Sequence, residues 1–260
     1  MKFFRSNLAA FFLSALMLFT ACTENTDGLV NDSNDPQTLV INKSKAEWNK
    51  YDRLLTDEQI EQIAIEHNEE LEKLYSFNPR NFEEVTDAAV ELYGSKKLDA
   101  DLLNEYGEVA NELNMELLLA VIDNTKEDFV DYELLKTKLT EMNSILDVEG
   151  LQEHEAATRR VLKGIDLDTY LVTSEVFQKS TQFWGDRYPE ATMRERGGWR
   201  EADGISASIG FFTMAAAFAA ISAVGIATGG TGVIPTVTIV AGLLRIGASA
   251  ALASIYAAFS

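Results

Sequence analysis

The last 57 residues of the chain, Gly204 to Ser260, contain one charged side chain, Arg245. Ile205 to Ala227 is a run of 23 residues without charge. As a helix it would be roughly 35 Å long, enough to cross a bilayer core of about 30 Å. Thr228 to Pro235 then supplies a break, with Gly229, Gly230 and Gly232 free to turn and Pro235 suited to the first turn of a new helix. Thr236 to Phe259 is a second apolar run of similar length. Two such helices joined by a short break predict an antiparallel hairpin over 204–260. A helix apolar on every side must be buried somewhere. Lipid, copies of the same chain and the upstream helices are the three covers open to it.

The composition of the pair is Ala/Gly/Ser-rich, and the first run has no Leu. Small residues recur at a spacing of four, at Ala215, Ala219 and Ala223 and again at Ala250, Ser254 and Ala258. Such faces let helix backbones approach closely, in lipid or in a dry protein core. The layout resembles the hydrophobic hairpin of pore-forming colicins and some Gly/Ala-rich bacteriocins, a resemblance that implies association with or insertion into a membrane.

The N-terminus has a basic start at Lys2 and Arg5, an apolar stretch from Leu8 to Phe19, and then Phe19-Thr20-Ala21-Cys22. This resembles a bacterial lipoprotein signal peptide with its lipobox. Phe19 stands where that pattern prefers Leu, and Leu18 precedes it. The resemblance implies removal of residues 1–21 and acylation of Cys22. Thr23 at the next position implies outer-membrane sorting. Cys22 is the only cysteine, so no disulfide framework competes for it. His67-Asn68-Glu69-Glu70-Leu71, with Ala202-Asp203-Gly204 before the Gly/Ala-rich tail, resembles uncharacterised envelope lipoproteins, which implies location and no activity.

The formal charge of −19 becomes −21 without Lys2 and Arg5, and −22 over residues 22–203 once Arg245 is also set aside. So acidic a body argues against nucleic acid as a partner. Residues 22–50 are rich in Asn, Asp, Ser and Thr and read as a flexible tether.

From 51 to 185 the periodicity is helical. Thr56-Asp57-Glu58-Gln59 is a capping box, followed by the stripe Ile60, Ile63, Ala64, His67, Leu71, Leu74. Asn81-Phe82-Glu83-Glu84 is a second box, ahead of a helix running to Gly94. Leu102, Tyr106, Val109, Leu113, Leu117 and Val121 predict one further helix. Tyr132, Leu135, Leu139, Met142 and Leu146 predict another, ended by Gly150. Leu151, His154, Thr158, Val161 and Ile165 continue the spacing, and a last helix spans Asp168 to Trp184. The expected fold is all-α, an acidic amphipathic helical bundle with a C-terminal hydrophobic hairpin. Residues 186–203 read as a connector. Its Arg187, Arg194, Arg196 and Arg200 stand near Trp184, Tyr188 and Trp199, as in an interfacial belt or an ordinary solvated link.

Chemistry is sparse. His67 and His154 lie on apolar faces and read as core histidines. The Glu-x-x-His spacing of di-iron bundles is absent, since Ala64 and Leu151 occupy the positions three before them. There is no Gly-x-Ser-x-Gly elbow, and Gly229-Gly230-Thr231-Gly232 lacks a phosphate-loop lysine. The expectation is a protein with no catalytic residue, metal or cofactor. Its expected partners are a membrane, through the anchor and with the hairpin inserted or buried, and a protein partner or second copy.

Overall fold

A computed structural model describes residues 50–93, 100–188, 198–211 and 236–259, with the backbone alone for Leu102 and 236–245. Its elements are α1 Asp57–Ser76, α2 Phe82–Tyr93, α3 Ala100–Ala110, α4 Met115–Asn124, a 3-10 turn Lys126–Asp128, α5 Tyr132–Asn143, α6 Val148–Thr158, α7 Gly164–Arg187, α8 over 198–211, and α9 Thr236–Ala258. The fold is all-α, with no strand among the described residues.

Local chemistry explains most of the helix starts. Thr56 and Gln59 exchange reciprocal bonds at the head of α1, Gln59 N donating to Thr56 Oγ1 at 3.2 Å and Thr56 N to Gln59 Oε1 at 2.8 Å. All six residues of the predicted α1 stripe are buried. At α2, Asn81 Oδ1 accepts from Glu84 N at 3.0 Å, while the Glu84 carboxylate turns to Arg80 instead of Asn81 N. The single helix predicted over Leu102 to Val121 is two helices. Asn114 caps the second by accepting from Leu117 N at 3.0 Å, and an Asn cap competes with helix continuation. Gly150 does not end α5. That helix stops at Asn143, and Gly150 lies in the first turn of α6, where its N–H is capped by Asp147 at 2.7 Å. Leu146 and Val161, expected on helical seams, are exposed between helices.

α1 is the middle of the bundle, with α9 on one side and α7 on another. α2 and α3 pair with each other and cover α9, while α5 and α6 lean on α7. α7 is buried along most of its length, and its buried residues include Asp166, Asp168, Thr173, Ser174 and Ser180. The chain before α1 is strapped to its start. Gly164 has φ +56°, and a Cβ there would lie 2.0 Å from Lys50 O. Ile165 N donates to that carbonyl at 3.1 Å. Asp168 accepts from Leu54 N at 2.5 Å, Leu55 N at 3.1 Å and Arg53 Nε at 2.6 Å.

The described parts of the C-terminal pair are antiparallel and buried. Tyr106 Oη donates to Ser249 O at 2.6 Å and stands 3.4 Å from Ser206 Oγ, while a Cβ on Gly210 would meet Ile246 at 3.3 Å. Advance along α8 thus goes with retreat along α9. Gly247 sits where α9 crosses α1, and a Cβ there would be 2.8 Å from Ile63 O and 2.9 Å from His67 N. On the small-residue face of α9, Ala250 and Ser254 are buried in the protein and Ala258 is half-buried. Among the described residues no helix is long and apolar enough to cross a membrane.

The expected connector is also revised. Residues 198–203 are already helical, and Arg200 and Asp203 are 3% and 0% exposed. Trp184 is fully buried, and Arg187 stacks 3.7 Å over Phe183 while pairing with Glu72. Trp184 and Arg200 therefore face the interior instead of a bilayer surface.

Candidate functional site

The lipidation residue Cys22, the lipobox residues Phe19, Thr20 and Ala21, and the hairpin turn at Gly229, Gly230, Gly232 and Pro235 all lie outside the described residues. His67 and His154, the other residues singled out from sequence, are described. His67 is fully buried, with Nδ1 2.9 Å from Asn68 Oδ1. Its Nε2 lies 3.2 Å from Asp203 Oδ1, an oblique approach that leaves both atoms without a well-directed hydrogen bond. Asp203 Oδ2 accepts from Ser180 Oγ. His154 uses both nitrogens, Nδ1 at 2.7 Å from Tyr170 Oη and Nε2 at 3.1 Å from Glu141 Oε2. The two histidines are held apart in these separate settings, and neither joins a cluster of three potential metal ligands among the described residues.

Two adjacent charges on α8 tie helix ends together. Arg200 donates to the carbonyls of Ile145 and Asn143, at the C-terminus of α5, and its guanidinium lies 4.8 Å over Phe177. Burial lowers its pKa. Glu201 accepts from Met115 N at 2.6 Å, at the N-terminus of α4. Each charge has the sign that the helix end prefers.

A recess opens between α6 and α7. It is a cleft of about 330 Å³, within the size range of small-molecule sites. Asp147 starts α6 in a frame that sets Glu155 and Arg159 one turn apart toward α7, which contributes Glu175, Gln178 and Lys179. Glu155 is the buried floor. Its carboxylate accepts from Ser174 Oγ, Gln178 Nε2 and Arg159 Nε, each at 2.9 Å. Arg159 is held in turn by Asp57 at 3.1 Å, Asp57 by Arg53 at 2.6 Å, and Arg53 by Asp168 at 2.6 Å. A chain of alternating charges therefore runs from the buried start of α7 to the cleft floor and fixes Arg159 in place.

Glu175 and Lys179 are half-buried at the cleft wall, one helical turn apart. Such a pair usually associates. Among the described residues neither forms a hydrogen bond or ion pair. Burial raises the pKa of Glu175 and the negative charge of Glu155 adds to that shift, while the nearby positive charges of Lys179 and Arg159 oppose it without a direct bond. A perturbed carboxyl group in a recess is a physical marker of a binding site. From the sequence, the charges of α6 and α7 are assigned no role. The i,i+4 spacing of Glu175 and Lys179 was visible, but their failure to pair was not.

Compared with family models, curated proteins and solved structures, the chain matches none.

Proposed function

We propose that this protein is a lipid-anchored module of the bacterial outer membrane, acylated at Cys22, that binds or supports other molecules without catalysing a reaction. In this reading residues 22–50 are the tether, and the C-terminal helices are the core of the tethered body. The observation that carries the second point is the set of side-chain hydrogen bonds into that segment. Trp184 Nε1 donates to Ser254 Oγ at 2.9 Å, Thr86 Oγ1 lies 2.9 Å from Tyr256 Oη, and Tyr106 donates to Ser249 O at 2.6 Å. These bonds satisfy polar groups that would otherwise be buried at a cost of about 1–3 kcal/mol each. The anchor rests on the lipobox resemblance and on Cys22 being the only thiol in the chain.

The full chain carrying Cys22→Ala is the material for the test. Added to dye-loaded vesicles of phosphatidylethanolamine and phosphatidylglycerol, it is expected to release no dye. Release would favour the second reading, in which the hairpin enters lipid; the uncharged run of 23 residues from Ile205 to Ala227 speaks for that one. Labelled palmitate should enter the unmodified chain in a Gram-negative host and fail to enter the Cys22→Ala chain. Equal incorporation would remove the anchor.

A further inference from the structure

We propose that the α6–α7 cleft binds a small zwitterion of dipeptide size, its ammonium group on Glu175 and its carboxylate on Lys179. This goes beyond the function proposed above and does not depend on where the chain is anchored.

The charge balance of the cleft comes first. Glu155 and Glu175 are offset by Arg159 and Lys179, so the lining is neutral although residues 22–203 carry −22. A recess with that balance favours neither a polyanion nor a polycation. The second consideration is which of these charges is free. Glu155 and Arg159 satisfy each other, with Ser174, Gln178 and Asp57 completing their bonds. Glu175 and Lys179 make no such bonds among the described residues, so they are the groups available to a ligand.

Spacing is compatible with dipeptide size, since flexible side chains at these positions can set their charged ends apart by a distance of the order of their Cβ separation. Side chains at i and i+4 on a helix stand about 5–6 Å apart at Cβ. The termini of a dipeptide are separated by roughly one Cα–Cα step of 3.8 Å plus a bond at each end. The ammonium and carboxylate of a single amino acid sit on one carbon and span less. The amides of Gln152 and Gln182, also on the cleft wall, can donate to and accept from a peptide bond. A sugar is the other small polar ligand to consider. It would ordinarily stack on an aromatic face, and among the described residues no aromatic side chain lines the cleft. It would also leave the two opposite charges unused.

Alanyl-alanine is the probe, titrated calorimetrically into the full-length chain in detergent. Binding heat is expected, together with protection of Lys179 from acetylation by an N-hydroxysuccinimide ester. Protection is read by mass spectrometry as a fall in Lys179 acetylation relative to exposed Lys126 in the same sample, because the probe's own amine also consumes the ester. N-acetyl-alanyl-alanine, which lacks the ammonium, and alanyl-alanine amide, which lacks the carboxylate, should each bind at least about tenfold more weakly. E175Q should weaken alanyl-alanine binding to a similar degree while melting as the parent does. If E175Q melts early, K179Q serves in its place, read by heat alone. Absence of both heat and protection up to about 10 mM probe would overturn the proposal, since a ligand held at both ends by charge-assisted hydrogen bonds should be detected below that level. Equal binding of the blocked dipeptides, or glucose binding in place of the dipeptide, would overturn it as well.

Discussion

Among the described residues, the polar side chains that α9 withdraws from water are hydroxyls, whereas α6 withdraws the carboxylate of Glu155 beside the Thr158 hydroxyl. Ser249 donates to Ile246 O in its own helix at 3.0 Å, and Ser254 needs only the Trp184 indole. A hydroxyl costs little to bury once it has one partner. α9 can therefore close on α1 to the point where Gly247 touches the opposing backbone. Glu155 requires Ser174, Gln178 and an arginine that is itself held by Asp57. Gathering those long polar side chains around one carboxylate keeps α6 and α7 from closing in the same way, and the cleft remains. The lesson is local: hydroxyls that need one partner sit where two helix backbones meet, and a carboxylate that needs several partners borders a recess. α9, whose buried serines are Ser249 and Ser254, meets the α1 backbone at Gly247, and the helix with a buried ion borders its recess.

The contrast can be tested by removing each side of it. Truncation after Asp203 should have the largest effect, because it deletes α9 and more than half of the described part of α8. The remaining helical body is expected to lose cooperative thermal unfolding, followed by circular dichroism. A sharp transition in the truncated chain would mean that the C-terminal pair is not its core. Glu155→Ala comes next. It leaves Arg159, Ser174 and Gln178 without their acceptor and should cost about 3 kcal/mol in urea unfolding. A loss below about 1 kcal/mol would place the carboxylate among ordinary surface charges. Ser254→Ala should cost less, about 1–2 kcal/mol, through the unsatisfied Trp184 N–H, and tryptophan fluorescence would follow the same transition. A larger loss than that from Glu155→Ala would reverse the comparison.

The smallest effect is a pH dependence. Burial raises the Glu175 carboxyl pKa, so the unfolded chain releases that proton at a lower pH than the folded one. Stability relative to E175Q is then fully retained in acid, below the ordinary glutamate range. It declines as pH rises through the raised value. Parallel melts of the two chains from acid to neutral pH should show E175Q gaining on the parent. A constant difference, or one of opposite sign, would mean the carboxyl group is not desolvated.

Much of the architecture could be read locally. The Thr56–Gln59 box and the stripe from Ile60 to Leu74 appear in α1 as their spacing predicts, because capping and amphipathic periodicity act within a few residues. The misreadings were also local. Asn114 and Asp147 act as caps inside apolar patterns that looked continuous, and a cap overrides periodicity when its side chain reaches the N–H three residues on. The cleft was not legible at all. Its floor depends on bonds between Glu155 and residues 19 and 23 positions away, and on an arginine tied to Asp57 across 102 positions.

The sequence by itself determined that the chain would be helical and that its final residues would need shelter, since hydropathy and periodicity are properties of neighbours in the chain. Tertiary structure decided what provides that shelter for the described parts of α8 and α9. It also decided which acidic residues turn inward. Both outcomes depend on partners such as Tyr106 with Ser249 and Trp184 with Ser254, 143 and 70 positions apart. No local pattern encodes those pairings; they arise when packing removes water from polar groups that then have to satisfy one another.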